Sequence, residues 1–305
     1  MSAIQSVVAT INGQQYTLNY NSSTGAYEAS ITAPSETSWN VNDGHYYPVT
    51  IKATDVSGNS TTINDSDAVF GEDLRLKVKE QVKPTIAFVS PTAGAGLTNS
   101  KPTFKVNVLD EGSGIDLSTF ALKIDTNTVG ISDCTYKEIT NGYEVSYTPE
   151  TALADGSHTI TANVSDNDGN AATAASITIK VDTVPPTLSI TSPADNSFTN
   201  DNACTVSGVT NDITSSPVTL AITLNGKDVG SVSVGTDGAF SKVLTLADGE
   251  NTIVITATDA LGKSTSVTRT VTLDTSAPKF TSVTIAPNPV NAGATYTISV
   301  VLEED

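Results

Sequence analysis

At 305 residues the chain is too long for one small sandwich domain and suits about three. Its 33 acidic and 15 basic side chains leave a net charge of −18, which repels phosphate backbones and anionic lipid and attracts divalent cations. Nucleic acid and membrane are therefore excluded as expected partners, no apolar run reaches the ~18 residues of a membrane helix, and Met1–Gln5 has neither the basic start nor the apolar stretch of an export signal.

The first predicted strand is Val7, Ala9 and Ile11, apolar at every second position and closed by Asn12-Gly13. Gly25-Ala26-Tyr27 follows twelve residues after Gly13. Then comes a unit that the chain repeats. Asp43-Gly44 opens it, Val49, Ile51 and Ala53 alternate, and Asp55-Val56-Ser57-Gly58-Asn59 closes it. The second copy runs Asp155-Gly156, then Ile160, Ala162 and Val164, then Asp166-Asn167-Asp168-Gly169-Asn170. The third runs Asp248-Gly249, then Ile253, Ile255 and Ala257, then Asp259-Ala260-Leu261-Gly262-Lys263. Each reads as a half-buried strand between two turns whose glycines take permissive backbone angles. A second alternating run such as Ile177, Ile179 and Val181 makes each unit a β-hairpin.

The joins repeat as well. Glu80, Asp182 and Asp274 each stand four residues before a proline, Pro84, Pro186 and Pro278. Proline removes a ladder donor and stiffens a linker. The expected domains are therefore 1–80, 81–182, 183–274 and a partial one at 275–305. Cys134 and Cys204 fall in different domains, so no domain can staple its own two sheets.

The repeated hairpin and the Asp-Thr-Val-Pro-Pro linker at 182–186 resemble the bacterial immunoglobulin-like domains of surface adhesins and tailed-phage virion proteins. The resemblance implies an all-β fold, tandem immunoglobulin-like β-sandwich domains in a linear array. It implies a non-enzymatic structural or adhesive role in a virion, as a phage-tail spacer or host-surface contact. The partners would be other virion proteins or a host cell-surface glycan or protein. The alternatives are an exported bacterial adhesin or stalk at the cell surface and a non-catalytic module of a carbohydrate-active enzyme.

Catalytic motifs are sparse. His45 and His158 follow Asp-Gly turns and are expected as exposed turn residues. No His-Glu-x-x-His or Gly-x-Ser-x-Gly is present. Leu261-Gly262-Lys263-Ser264-Thr265 resembles the end of a phosphate-binding loop, but Ala257 stands where its first glycine belongs. No cofactor is required on this reading. Calcium is the candidate ligand, because Ca²⁺ takes six to eight oxygens from flexible loops. Its candidate ligands are Asp166, Asp168 and Asp182, with a second set at Asp110 and Asp116. Trp39, Tyr46 and Tyr47 are candidate partner contacts in an N-terminal region rich in aromatics.

The two ends look like halves of one domain. Val7, Ala9 and Ile11 match the middle strand Leu220, Ile222 and Leu224, with no opening strands before them. Residues 275–305 supply only opening strands, the second alternating at Tyr296, Ile298, Val300 and Leu302. Donation of that tail to another protomer, giving a head-to-tail oligomer, is one reading, and a compact first domain of fewer strands or a chain cut at residue 305 are the others.

Overall fold

The computed structural model describes residues 3–303. They divide into two compact units, residues 1–181 and 182–305.

The first unit opens with one sheet. Its strands are β1 (Ile4–Ile11), β2 (Gln14–Asn21), β3 (Ala26–Glu28), β4 (Tyr47–Asp55), β5 (Ser60–Ile63) and β6 (Arg75–Leu76), in the order β3-β2-β1-β4-β5 with β6 on β4. Asn12 and Gly13 both take positive φ, 47° and 74°, the requirement of a two-residue hairpin turn that follows the twist of its strands. Val7, Ala9 and Ile11 are buried, but Val49, Ile51 and Ala53 beside them are only half-buried.

The rest of that unit is a two-sheet sandwich. It comprises β7 (Thr85–Ser90), β8 (Gly96–Leu97), β9 (Phe104–Leu109), β10 (Ile115–Ile124), β11 (Asn127–Gly130), β12 (Thr135–Ile139), β13 (Gly142–Tyr147), β14 (Gly156–Asp166) and β15 (Ala175–Val181). One sheet runs β11-β10-β14-β15-β8 and the other β12-β13-β9-β7. Alternation along each strand aims Phe104, Val106, Val108 and Val145 of one sheet at Leu122, Ile124, Ile160, Ala162 and Ile179 of the other, all 5% exposed or less.

The second unit repeats this plan. It holds β16 (Thr187–Ser192), β17 (Ser197–Thr199), β18 (Ala203–Asn211), β19 (Thr219–Leu224), β20 (Lys227–Asp228), β21 (Ala239–Thr245), β22 (Gly249–Thr258) and β23 (Ser264–Leu273). Sheets β16-β18-β21 and β17-β23-β22-β19-β20 enclose Val206, Phe240, Leu244, Ile222, Ile253 and Ile255. A separate hairpin, β24 (Lys279–Ala286) with β25 (Thr297–Glu303), ends the described chain, and every residue of it is exposed. No helix is long and apolar enough to cross a membrane among the described residues.

Candidate functional site

Two groups of three carboxylates form where each two-sheet domain begins. The first joins Glu80, in the segment before β7, to Asp110 just after β9 and Asp166 at the end of β14. The second joins Asp182, Asp212 and Asp259, the same three places in the next domain. Within each group one oxygen per residue lies within 4.8 Å of the others. The congruence extends to sequence, since Asp110 and Asp212 both stand thirty residues after their linker acid.

Loop backbone holds these carboxylates in place. Asp110 Oδ2 accepts from Gly112 N (3.1 Å) and Gly114 N (2.7 Å), and Asp166 is fixed by Asn170 N and Nδ2, each at 2.8 Å. Glu80 accepts from Ser113 N, and a Cβ on Gly112 would run into the Glu80 carboxylate. In the second group Asp212 Oδ1 accepts from Thr214 N (2.8 Å) and Ser215 N (2.6 Å), and Asp259 Oδ1 from Leu261 N (2.7 Å) and Lys263 N (3.0 Å).

One oxygen is left over in each of three residues. Asp110 Oδ1, Asp182 Oδ2 and Asp259 Oδ2 are buried without a hydrogen-bond partner, on residues 7%, 0% and 5% exposed. A buried, unpaired carboxylate oxygen is costly, and three like charges together add repulsion. Burial first, and then the carboxylates of Glu80 and Asp166, hold the Asp110 carboxyl above its ordinary pKa, although two backbone amides oppose this. A hard divalent cation would supply the missing partner. An all-oxygen set with no histidine or thiol fits Ca²⁺ rather than Zn²⁺.

The residues expected from sequence to hold calcium sort differently. Asp110 and Asp166 meet, in one group rather than two. Asp182, expected to serve the domain it ends, instead meets Asp212 and Asp259 of the domain it begins. Asp168 contributes no oxygen to either group. Its Oδ2 accepts from Thr37 Oγ1 (2.5 Å) and Glu80 N (3.0 Å), and its carbonyl from Lys79 Nζ (2.8 Å), so it clasps the chain entering the second domain. Asp116 caps its own turn through Ser118 N (3.0 Å) and Oγ (2.6 Å). Glu80, Asp212 and Asp259 complete the groups without being among the expected ligands, and the repeat spacing is the signal that marks them.

Other expectations change as well. Tyr47 is buried, with its hydroxyl donating to the Glu36 carbonyl (3.3 Å), so it cannot meet a partner. Tyr46 is half-buried, donates to Asp65 Oδ2 (2.9 Å) and lies under the Arg75 guanidinium. Trp39, also half-buried, stacks on the His45 ring at 3.8 Å. His158 is not an exposed turn residue. It is buried between Asp125 Oδ2 and the Ala154 carbonyl, each at 2.7 Å. Ile298, Val300 and Leu302 lie in β25, and Tyr296 precedes it.

The fold and its repeats define a class, an all-β string of immunoglobulin-like domains. Residues 93–183 match the bacterial Ig-like domain family, and residues 186–275 match domain B of glucodextranase. No curated protein matches the chain in sequence. Solved structures similar to it include a tetra-tandem repeat from the extending region of a large adhesion protein (17% identity, TM-score 0.34, 97% of this chain and 79% of that one). Others are the fibronectin(III)-like modules of Clostridium thermocellum CbhA (14%, 0.35, 62% and 94%) and immunoglobulin domains 1–4 of Sidekick-1 (12%, 0.40, 89% and 68%).

Proposed function

We propose that this chain is a non-catalytic structural array whose linkers are pinned by calcium, one ion at Glu80, Asp110 and Asp166 and one at Asp182, Asp212 and Asp259. The observation that carries the reading is the pair of congruent acid groups with buried, unpartnered oxygens. Each linker acid would be tied to two loops of the domain that follows, which fixes the start of that domain and removes the freedom of the residues before its proline. Backbone carbonyls and water would complete the coordination shell. A cation bound only by the folded state stabilises by mass action, about 2.7 kcal/mol at a hundredfold excess over Kd.

The setting we favour is the virion of a tailed phage, where such an array spaces or decorates the particle and touches the host. The acidic surface and the tandem repeat support that setting and equally support an exported bacterial adhesin. Neighbouring tail or baseplate genes favour the first, and a cell-wall anchor in the same reading frame favours the second. The calcium reading is tested by thermal melting in EDTA and in millimolar Ca²⁺. The midpoint is expected to rise with calcium and to stay unmoved in a variant carrying Asp110→Asn and Asp182→Asn. An unmoved midpoint in the unmodified chain overturns it.

A further inference from the structure

We propose that β24 and β25 of one copy pack on the half-covered apolar face of the β1–β5 sheet of a second copy, the place that β16 and β18 take over the matching sheet of the second unit. This goes beyond the calcium reading and does not depend on it.

The donor is an amphipathic hairpin with one face unused. Cross-strand pairing puts Phe280 with Leu302, Val283 with Val300 and Ile285 with Ile298 on the same side. All six are exposed, from 46% at Ile285 to 72% at Phe280. The opposite side is mostly polar, carrying Ser282, Thr284, Thr297 and Ser299 beside Val301 and Ala286. In the second unit the equivalent strands are β16 and β18, which follow the linker proline in the same way and close the core with Leu188, Ile190, Cys204 and Val206.

The acceptor is a sheet whose apolar face no second layer covers among the described residues. The pairs Val7–Ala53, Ala9–Ile51 and Ile11–Val49 repeat Leu220–Ala257, Ile222–Ile255 and Leu224–Ile253. So β2-β1-β4-β5 is the same sheet as β20-β19-β22-β23. Val49, Ile51 and Ala53 are half-buried, whereas Ile253, Ile255 and Ala257 are fully covered at 0% exposure. Gly238 and Gly25 begin the strand after that sheet's hairpin, at φ 80° and 70°. A Cβ on Gly238 would strike the Thr210 carbonyl at the end of β18. Nothing lies within 4 Å of the same point on Gly25. The strand that β21 pairs with, β18, has no counterpart beside β3, and β3 pairs with β2 instead.

The acids keep the same register. Asp274 is the linker acid before this hairpin, as Glu80 is before β7 and Asp182 before β16. Asp55 at the end of β4 holds the place of Asp166 at the end of β14 and of Asp259 just after β22, and its bonds to Asn59 at 2.9 and 3.0 Å repeat those of Asp166 to Asn170. Docking would therefore bring Asp274 of one chain toward Asp55 of the other. The contact joins unlike surfaces, so it propagates head to tail as a ring or filament.

The test is sedimentation of the 305-residue chain over a wide concentration range, in EDTA and in Ca²⁺, with reductant present because Cys134 and Cys204 are free thiols. Mass should rise above 31.5 kDa with concentration in at least one condition. Hydrogen exchange should slow in β24, β25 and β1–β5 together as mass rises. Val300→Asp should remove the donor, and Leu18→Lys, at the half-buried β2 residue paired with Val7, the acceptor, so each variant alone is monomeric and their mixture stops at a heterodimer. A monomer in both conditions overturns the proposal, as does association that leaves β1–β5 unprotected. Leu18→Lys associating alone would show hairpin-to-hairpin pairing and overturn it equally. Because protection is read on the unmodified chain, a variant that fails to fold does not decide the outcome.

Discussion

His158 occupies a place that each domain fills differently. In the second unit Asn251 holds it, 0% exposed, bonded to Ala247 and to Asn225 (3.0 Å). In the first domain it is Tyr47, aligned by the pairing of β1 with β4. The position plugs the sheet beside the hairpin turn, and only His158 gives it a group that ordinarily titrates near neutral pH. Burial disfavours the imidazolium, but bonds to the Ala154 carbonyl and Asp125 outweigh it and leave the pKa raised. Asp125 is lowered despite some burial, chiefly by its bond to His158. The His158 contribution is complete below the ordinary imidazole value of ~6.5 and is lost as pH rises through the raised folded value, while the Asp125 contribution is lost as pH falls through the carboxylate range. Wild type should therefore gain on His158→Asn between about pH 9 and pH 6, by under ~1 kcal/mol because Asp125 is half-exposed. Melting both proteins at the two pH values checks the sign, and a gap that does not move refutes it. Asp259→Asn makes a second residue-scale prediction. It removes a charge with one unpartnered oxygen, so in EDTA it should raise the melting midpoint of the second unit while abolishing that unit's rise on adding calcium, and the rise from Glu80, Asp110 and Asp166 should remain.

At the scale of the element, the contrast between the open sheet and the closed sandwiches predicts unequal costs for equal substitutions. Ile255→Ala empties a site with 0% exposure and should cost roughly 2–5 kcal/mol in denaturant unfolding of the second unit. Ile51→Ala, at the matching but half-buried place, should cost clearly less in the monomer. Gly238→Val combines positive φ with a clash against Thr210 and should cost more than about 2 kcal/mol. Gly25→Val meets only the backbone strain, about 1 kcal/mol, while the first domain stands alone. Equal costs at the two glycines, measured on monomeric protein, would contradict the assignment of the first domain as an open sheet.

For the whole molecule, a net charge of −18 sets the long-range behaviour. Duplex DNA should not shift the chain in a gel at physiological salt, and binding that weakens steeply with salt would contradict this. The same charge makes docking of one acidic copy on another unfavourable at low ionic strength. Any head-to-tail association should therefore strengthen with added salt or Ca²⁺.

The strands were legible in the sequence because alternation is local. Val7, Ala9 and Ile11, or Ile177, Ile179 and Val181, need only their own spacing to define a face. The turns were equally local, since Asn12-Gly13 and the three Asp-x-x-Gly segments take positive φ at the glycine for reasons contained within a few residues. The acid groups were only half legible. Repetition marked Glu80 and Asp182, but their partners lie 30 and up to 86 positions away, and nothing local states which loop the linker meets. Packing of two sheets brings the ends of β9 and β14, or β18 and β22, against the incoming linker. That choice gave Asp182 to the domain after it and left Asp168 to clasp Thr37. Burial of His158 and Tyr47 was decided the same way, because side-chain exposure at a strand's first residues depends on what crosses above them, which only the folded sheets determine.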